Sequence, residues 1–93
     1  MKVILVYDVA TDDPSSQRRL RNLLKVARKY LHHVQKSVFE GELSEAQIEN
    51  LKVQLLEYAD EEKDSVILYT LPGASRLKRH ILTKVDDPTQ NML

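Results

Sequence analysis

The chain has 93 residues, of which 42% are hydrophobic and 30% charged, and it contains no cysteine. This composition is typical of one globular domain, and it excludes a disulfide framework and a thiolate metal site. The formal net charge is zero, with 14 basic and 14 acidic residues, which by itself argues against a nucleic-acid-binding protein.

The charges are nevertheless segregated along the chain. Seven Lys/Arg residues and no acid lie between Asp13 and Glu40, whereas nine acids and two lysines occupy the stretch from Glu40 to Asp64. Because the local potential decides binding more than the sum does, we expect one basic and one acidic face. No signal peptide and no apolar run of about 20 residues is present, so we expect a cytoplasmic protein without membrane contact.

The first predicted strand covers residues 2–8. Its run of apolar and aromatic residues is typical of a strand that is covered on both faces. It ends at Asp8. This carboxylate could terminate the strand by accepting backbone N–H groups, or it could be the centre of a site.

The first predicted helix runs to about Tyr30. Asp13 is expected as its N-cap with Pro14 in the first turn, and Ser15 or Ser16 is the alternative cap. The apolar side chains fall on one face at helical spacing, and they are Leu20, Leu23, Leu24, Ala27 and Leu31.

Basic side chains cover the opposite side of this helix, at Arg18, Arg21, Lys25, Arg28 and Lys29. Arg19 is predicted alone on the other flank, closer to the end of the first strand. The stripe lacks the acids at i,i+4 that normally balance basic residues on a helix. We therefore weigh anion binding equally with an ordinary solvated face.

The second half of the chain predicts further strands and a helix. A second strand is expected over 34–41, with a bulge or close backbone approach at Gly41. His32 and His33 are interpreted as a helix C-cap in preference to metal ligands. The second helix is expected to begin with a Ser44–Gln47 capping box and to end near residue 59, with Ile48, Leu51, Leu55 and Tyr58 on its apolar face.

Two more strands are expected, over 65–71 and 79–85. One domain therefore covers 1–85, and a polar tail follows over 86–93. The order strand, helix, strand, helix, strand, strand favours an α+β ferredoxin-like two-layer sandwich, with an antiparallel sheet and two helices on one face. It departs from the regular βαββαβ pattern unless the chain over 38–43 is a bent or split strand.

The sheet is expected to have an uncovered face. Two helices cover one side only, whereas the strands over 2–8 and 65–71 are apolar on both. Leaving a large apolar side chain in water costs about 1.5–3 kcal/mol. We therefore expect a two-fold homodimer that packs sheet against sheet.

Several of these stretches together resemble the CRISPR-associated protein two family, the small endoribonuclease-like adaptation protein that partners the CRISPR integrase in antiviral defence. The resemblance covers about residues 2–71 and rests on the segments 7–9, 34–43 and 64–71. It implies a ferredoxin-like homodimer. It also implies either a metal-dependent nuclease acting on RNA or DNA, or a dimer that holds a DNA duplex and bridges integrase dimers during spacer acquisition.

The resemblance also implies roles for individual residues. Asp8 matches the family's metal-binding and catalytic aspartate, with magnesium or manganese as the ion. The family's helix arginines match the cluster Arg18, Arg19 and Arg21, and the positions near the family's dimer cleft are Tyr7, Ser37 and Phe39.

The residues themselves favour duplex binding. Arg18, Arg19, Arg21, Lys25 and Arg28 can contact successive phosphates from a rigid helix, and no aromatic ladder for single strands is evident. One Asp8 per chain leaves a metal site dependent on two copies meeting. We therefore predict a homodimeric adaptor for duplex DNA, with a metal-dependent endonuclease as the alternative.

Overall fold

In the computed structural model, which describes residues 1–72 and 78–84, four strands form one sheet and two helices pack against it. The elements are β1 (Lys2–Asp8), α1 (Ser16–Tyr30), β2 (His32–Gln35), β3 (Val38–Glu42), α2 (Glu45–Tyr58) and β4 (Ser65–Leu71). The strand order is β2-β3-β1-β4, and every neighbouring pair is antiparallel. This is the predicted α+β sandwich, in the regular βαββαβ order.

The single strand expected over 34–41 is two strands, so the predicted element order is wrong at this point. The chain turns at Lys36 and Ser37, and both carbonyls face the end of β1. The hydroxyl of Tyr7 donates to the carbonyl of Lys36 over 2.7 Å, and the backbone N–H of Tyr7 donates to that of Ser37 over 3.2 Å. Hydrogen bonds from a residue distant in the sequence therefore hold this turn, and the residues of the turn themselves do not predict it. The split-strand alternative is confirmed.

The adjacent histidines belong to β2, which corrects their assignment to a helix cap. The ring of His33 stacks on Phe39 with a centroid distance of 4.4 Å, and its Nε2 lies 3.2 Å from the carbonyl of Lys36. His33 is therefore the cross-strand partner of the buried Phe39 and stacks on its ring, and it is not a cap of α1.

The starts of the two helices differ in how well they were predicted. α1 begins at Ser16 with Ser15 as N-cap, so a start at Asp13–Pro14 was too early and the Ser15 alternative is confirmed. α2 has the expected capping box: Ser44 N–H donates to Gln47 Oε1 over 2.9 Å, and Gln47 N–H donates to Ser44 Oγ over 3.2 Å.

The core lies between the helices and one face of the sheet. Val3, Leu5 and Phe39 are at most 1% exposed, and both helices cover them. Gly41 gives the expected close approach, since a Cβ there would lie 3.0 Å from Cδ2 of Leu31. Tyr58 was expected on the apolar face of α2 but is 40% exposed, because it lies at the helix end beyond the residues that pack inward.

The strand expected over 79–85 does not form in the part that the structure describes. Residues 78–84 have no strand hydrogen bonding, and their side chains are exposed, Leu82 by 92%. An alternating pattern forms a strand only when its backbone pairs with a neighbouring strand, and within the described ranges residues 78–84 pair with none. Val85 and the tail over 86–93 lie outside the described residues.

The outer face of the sheet, opposite the helices, carries Ile4, Val6, Ile67 and Tyr69. The last two are 44% and 55% exposed. Arg79 forms an ion pair with Glu40 on this face. No helix within the described residues is long and apolar enough to cross a membrane.

Candidate functional site at the end of the first strand

Asp8 is the last residue of β1 and its side chain is exposed. Side chains alternate along the strand, so Asp8 shares the outer face with Ile4 and Val6, while Tyr7 points to the helices. Its strand partner is Ser65 of β4. Within residues 1–72 and 78–84, no hydrogen bond or ion pair occupies the Asp8 carboxylate.

The other nearby acids do not complete a metal site in one chain. Asp12 is exposed, whereas the side chains of Asp13 and Asp64 are 16% and 0% exposed and are held by cations. The described part of the chain contains no group of three or more metal-ligating side chains. In the described residues Asp8 therefore offers a single carboxylate to a divalent cation, whose other oxygen ligands would have to come from water or from outside these residues.

A charged cluster lies beside Asp8, and its centre is Arg19. We call it the Arg19 cluster and define it by Asp13, Ser15, Arg19, Lys63 and Asp64. Arg19 meets Asp64 through a two-pronged contact: Nε lies 2.9 Å from Oδ2, and Nη2 lies 3.1 Å from Oδ1.

The same guanidinium also reaches the start of α1. Its Nη1 lies 2.9 Å from Oδ1 of Asp13 and also donates to the hydroxyl of Ser15. Lys63 Nζ lies 3.1 Å from the other oxygen of Asp13. The cluster therefore ties the loop after β1 to the loop before β4.

The cluster keeps its members ionised. Hydrogen bonds from Arg19, Ser15 and Lys63 hold the pKa of Asp13 well below its ordinary value. Burial raises the pKa of Asp64, but hydrogen bonds from Arg19 and from the backbone N–H groups of Asp60 and Ala10 lower it by more. The pKa of Arg19 rises because both carboxylates accept its hydrogen bonds.

Arg19 therefore stabilises the fold next to the site and is not placed to meet nucleic acid. It is 8% exposed, and two carboxylates already occupy its guanidinium, so the role expected from the helix arginines does not fit it. Its predicted location near the end of the first strand is confirmed by a 3.2 Å hydrogen bond to the carbonyl of Ala10. Asp64 was missed as a partner because it lies 45 residues away in the sequence.

The remaining basic side chains of α1 form an exposed basic face. We use this name for Arg18, Arg21, Lys25, Arg28 and Lys29, all of which are exposed. Within the described residues, no carboxylate pairs with any of them. Five cations without counter-charges on one helix are suited to a polyanion.

Tyr7 and Phe39 lie in the core rather than in a cleft. Their rings are 6.2 Å apart on the helix side of the sheet, and their exposures are 7% and 0%. Burial raises the pKa of Tyr7, against a smaller lowering by Arg28. Ser37 is partly exposed in the turn, where its carbonyl accepts from Tyr7. Tyr7 and Phe39 thus support the end of β1 from inside and do not face the outer surface of the sheet.

Comparison with known proteins places this arrangement in a family. The family model described as CRISPR associated protein Cas2 matches residues 1–79. The chain belongs to the Cas2 family. Its members function in CRISPR systems, and the ferredoxin-like fold expected from the sequence is the family's fold.

Individual relatives in the Cas2 family are similar over three quarters of the chain or more. A Moorella thermoacetica protein named CRISPR-associated endoribonuclease Cas2 2 is 48% identical over 98% of this chain and 100% of its own. A crystal structure of Streptococcus pyogenes Cas2 at pH 6.5 has a TM-score of 0.70 and 38% identity, and the match covers 77% of this chain and 87% of the other. A second Cas2 crystal structure has a TM-score of 0.74 and 38% identity, and the match covers 90% of this chain and 87% of the other.

Proposed function

We propose that this Cas2-family protein is a homodimeric adaptor that binds duplex DNA and bridges integrase dimers during spacer acquisition in the cytoplasm. The exposed basic face of α1, without carboxylate partners in the described residues, is the observation that carries this proposal. The family membership supplies the CRISPR context.

The geometry of α1 suits a phosphate backbone. A helix of 15 residues is about 22 Å long, so its cations can reach several phosphates in succession. The basic face consists of Arg and Lys side chains and includes no aromatic side chain on which bases could stack. These side chains are therefore expected to bind phosphates, and such contacts do not distinguish one DNA sequence from another. The acidic helix α2 would repel the same duplex, so the DNA lies along α1.

Duplex binding is expected to be steeply salt-dependent and independent of sequence. If the basic faces of two copies make several phosphate contacts, the slope of log K against log salt is about −4 or steeper, because each contact adds about −0.9. Fluorescence anisotropy with two unrelated duplexes between 50 and 200 mM salt measures both properties. A flat salt dependence, or a strong preference for one duplex, would contradict the proposal.

The homodimer proposed here uses the outer face of the sheet. Ile67 and Tyr69 are about half exposed on a sheet face that the helices leave uncovered, with Ile4 and Val6 beside them. A second copy would bury these side chains and would bring two Asp8 residues to one interface. Arg79, which is paired with Glu40 on this face, would lie at the same interface.

The dimer is expected to persist at micromolar concentration. Multi-angle light scattering should give twice the mass of the 10.8 kDa chain. Replacing Ile67 and Tyr69 by Ser removes apolar area from the outer face and should shift the mass toward one chain. The same double change at Val53 and Leu56, which are exposed on α2, is the control and should leave the mass unchanged. A monomeric wild-type chain would refute the homodimer.

A metal-dependent endonuclease is the second candidate. It is favoured by the exposed Asp8 carboxylate at the end of β1, which has no hydrogen-bond or ion-pair partner in residues 1–72 and 78–84, and by the endoribonuclease names of the relatives. A bound magnesium or manganese ion would supply Lewis-acid chemistry, offsetting negative charge on the phosphate and lowering the pKa of a bound water. Asp8 from each copy would hold the ion against a phosphodiester of RNA or DNA at the end of β1.

Asp8→Ala separates the two functions. We expect this change to abolish metal-dependent cleavage of RNA while duplex affinity changes by less than about twofold, because Asp8 is not on the basic face. Asp12→Ala removes a carboxylate from the neighbouring loop and is the matched control, which should retain cleavage. Undiminished cleavage by Asp8→Ala would exclude Asp8 as the catalytic carboxylate.

A further inference from the structure

The Arg19 cluster has no part in duplex binding, yet it lies directly beside Asp8. We infer that Asp64, with Arg19, is a positioning residue that holds the Asp8 end of β1 in place. The inference rests on the proposed role of Asp8 in the second candidate function and deepens it. It is carried by the contacts around Ala10, two residues after Asp8.

Both backbone groups of Ala10 are held by this one ion pair. The N–H of Ala10 donates to Oδ1 of Asp64 over 3.0 Å, and Nη2 of Arg19 donates to the carbonyl of Ala10 over 3.2 Å. The other Asp64 oxygen accepts the N–H of Asp60 over 2.9 Å. Ala10 lies just beyond the strand, where the ladder of hydrogen bonds ends, and yet both of its backbone groups are hydrogen-bonded.

The backbone of Asp8 is consequently held from two directions. On one side Asp8 is paired with Ser65, the residue that directly follows Asp64. On the other side the chain passes through buried Val9 to the clamped Ala10. One carboxylate therefore couples the end of β1 to the start of β4, while the Asp8 side chain remains exposed.

This arrangement suits a group that must meet an ion shared with a second chain. A site is effective when its groups lie within about 0.5 Å of the working geometry, and strand ends fray unless they are tied down. The side chain of Asp64 is fully buried, and the two-pronged contact with Arg19 fixes its orientation as well as its charge. Rigid support for an exposed carboxylate is what the cluster supplies.

Asp64→Asn tests the inference, because it keeps the shape but removes the charge and one acceptor. Nuclear magnetic resonance on the folded variant, well below its unfolding temperature, reports on each residue. We expect amide exchange of Ala10 to accelerate by about 30-fold and the amide resonances of Asp8 and Val9 to shift. Asp12→Asn makes the same chemical change in the exposed part of the loop and should alter neither.

A manganese titration measures metal binding near Asp8 in the folded protein, so its result does not depend on how stable the fold is. Mn²⁺ alone is the probe, and it should broaden the Asp8 resonances of the wild-type dimer selectively. In Asp64→Asn, we expect about five times more Mn²⁺ for the same broadening. If Asp64→Asn does not fold, Arg19→Lys takes its place, since it retains the charge but loses the fork that contacts Asp64 and Ala10.

The outcomes distinguish this inference from the proposed function. The positioning role of Asp64 would be overturned if the folded Asp64→Asn variant behaved like the wild type in all three measurements. These are the amide exchange rate of Ala10, the resonance positions of Asp8 and Val9, and the Mn²⁺ concentration needed for broadening. Absence of broadening at Asp8 in the wild-type protein would overturn the metal role of Asp8, and the exchange of Ala10 would still decide whether Asp64 positions the strand.

Discussion

Reversal of Arg18 and Arg21 to Glu is expected to reduce affinity for duplex DNA by about 100-fold and to flatten its salt dependence. Both side chains are exposed on α1 without carboxylate partners in the described residues. Each reversal removes an attraction to phosphate and adds a repulsion. The slope of log K against log salt should become less steep by about 2 for each chain that engages the duplex.

The control for this result lies on the other helix. Lys52→Glu makes the same type of reversal on α2, where Lys52 is paired with Glu49, and it should change duplex affinity by less than about threefold. Circular dichroism should show unaltered folding for all variants, because every substituted side chain is exposed. Duplex affinity that survives the double reversal would refute binding through the basic face, whatever the activity of Asp8.

Removal of the Arg19 guanidinium has the largest expected effect on stability. Arg19→Ala leaves the fully buried Asp64 carboxylate without its cation, whereas Asp13 loses one of its two cations and keeps Lys63. Removing one partner of a buried ion pair lowers the stability of the fold much more than losing a surface pair does, because it leaves a buried charge without a counter-charge. We expect the thermal unfolding midpoint to fall by about 15 °C, measured by circular dichroism.

Arg18→Ala is the matched control, since it removes a neighbouring arginine from the exposed side of the same helix. Its unfolding midpoint should change by less than about 2 °C. Equal effects of the two changes would mean that the Arg19 cluster contributes no more to stability than an ordinary surface charge does.

The cluster also predicts how acid acts on the protein. The pKa values of Asp13 and Asp64 are lowered by folding from their ordinary value of 3.8, so their contribution to stability is complete above that value and is lost as the pH falls below it. The gap in unfolding midpoint between wild type and Arg19→Ala should therefore narrow below about pH 4. A gap that widens in acid would contradict the proposed charge states.

Much of the fold follows from local patterns in the sequence. The apolar run over 2–8 is β1, the capping box at Ser44 begins α2, and the run over 65–71 is β4. Periodicity and capping are short-range properties, so each of these elements can be recognised from its own residues. The basic face of α1 follows in the same way from helical spacing.

Other features depend on residues that are distant in the sequence. The break between β2 and β3 exists because Tyr7 donates hydrogen bonds to the carbonyls of Lys36 and Ser37. The residues 34–41 by themselves predict one continuous strand. The alternating residues 79–84 form no strand, since alternation is realised only against a neighbour. Local patterns therefore predicted too few strands at one place and one too many at another.

The candidate site likewise has some features that follow from consecutive residues and others that depend on residues distant in the sequence. The sequence by itself determined that Asp8 ends an apolar strand and that α1 carries unbalanced positive charge, because both are properties of consecutive residues. Only the tertiary structure decided that Arg19 pairs with the buried carboxylate of Asp64 instead of joining the basic face. It also decided that the strand face which Asp8 shares with Ile4 and Val6 is the one that the helices leave uncovered. Buried ion pairs form between residues that the fold brings together, and no local pattern encodes a partner 45 residues away.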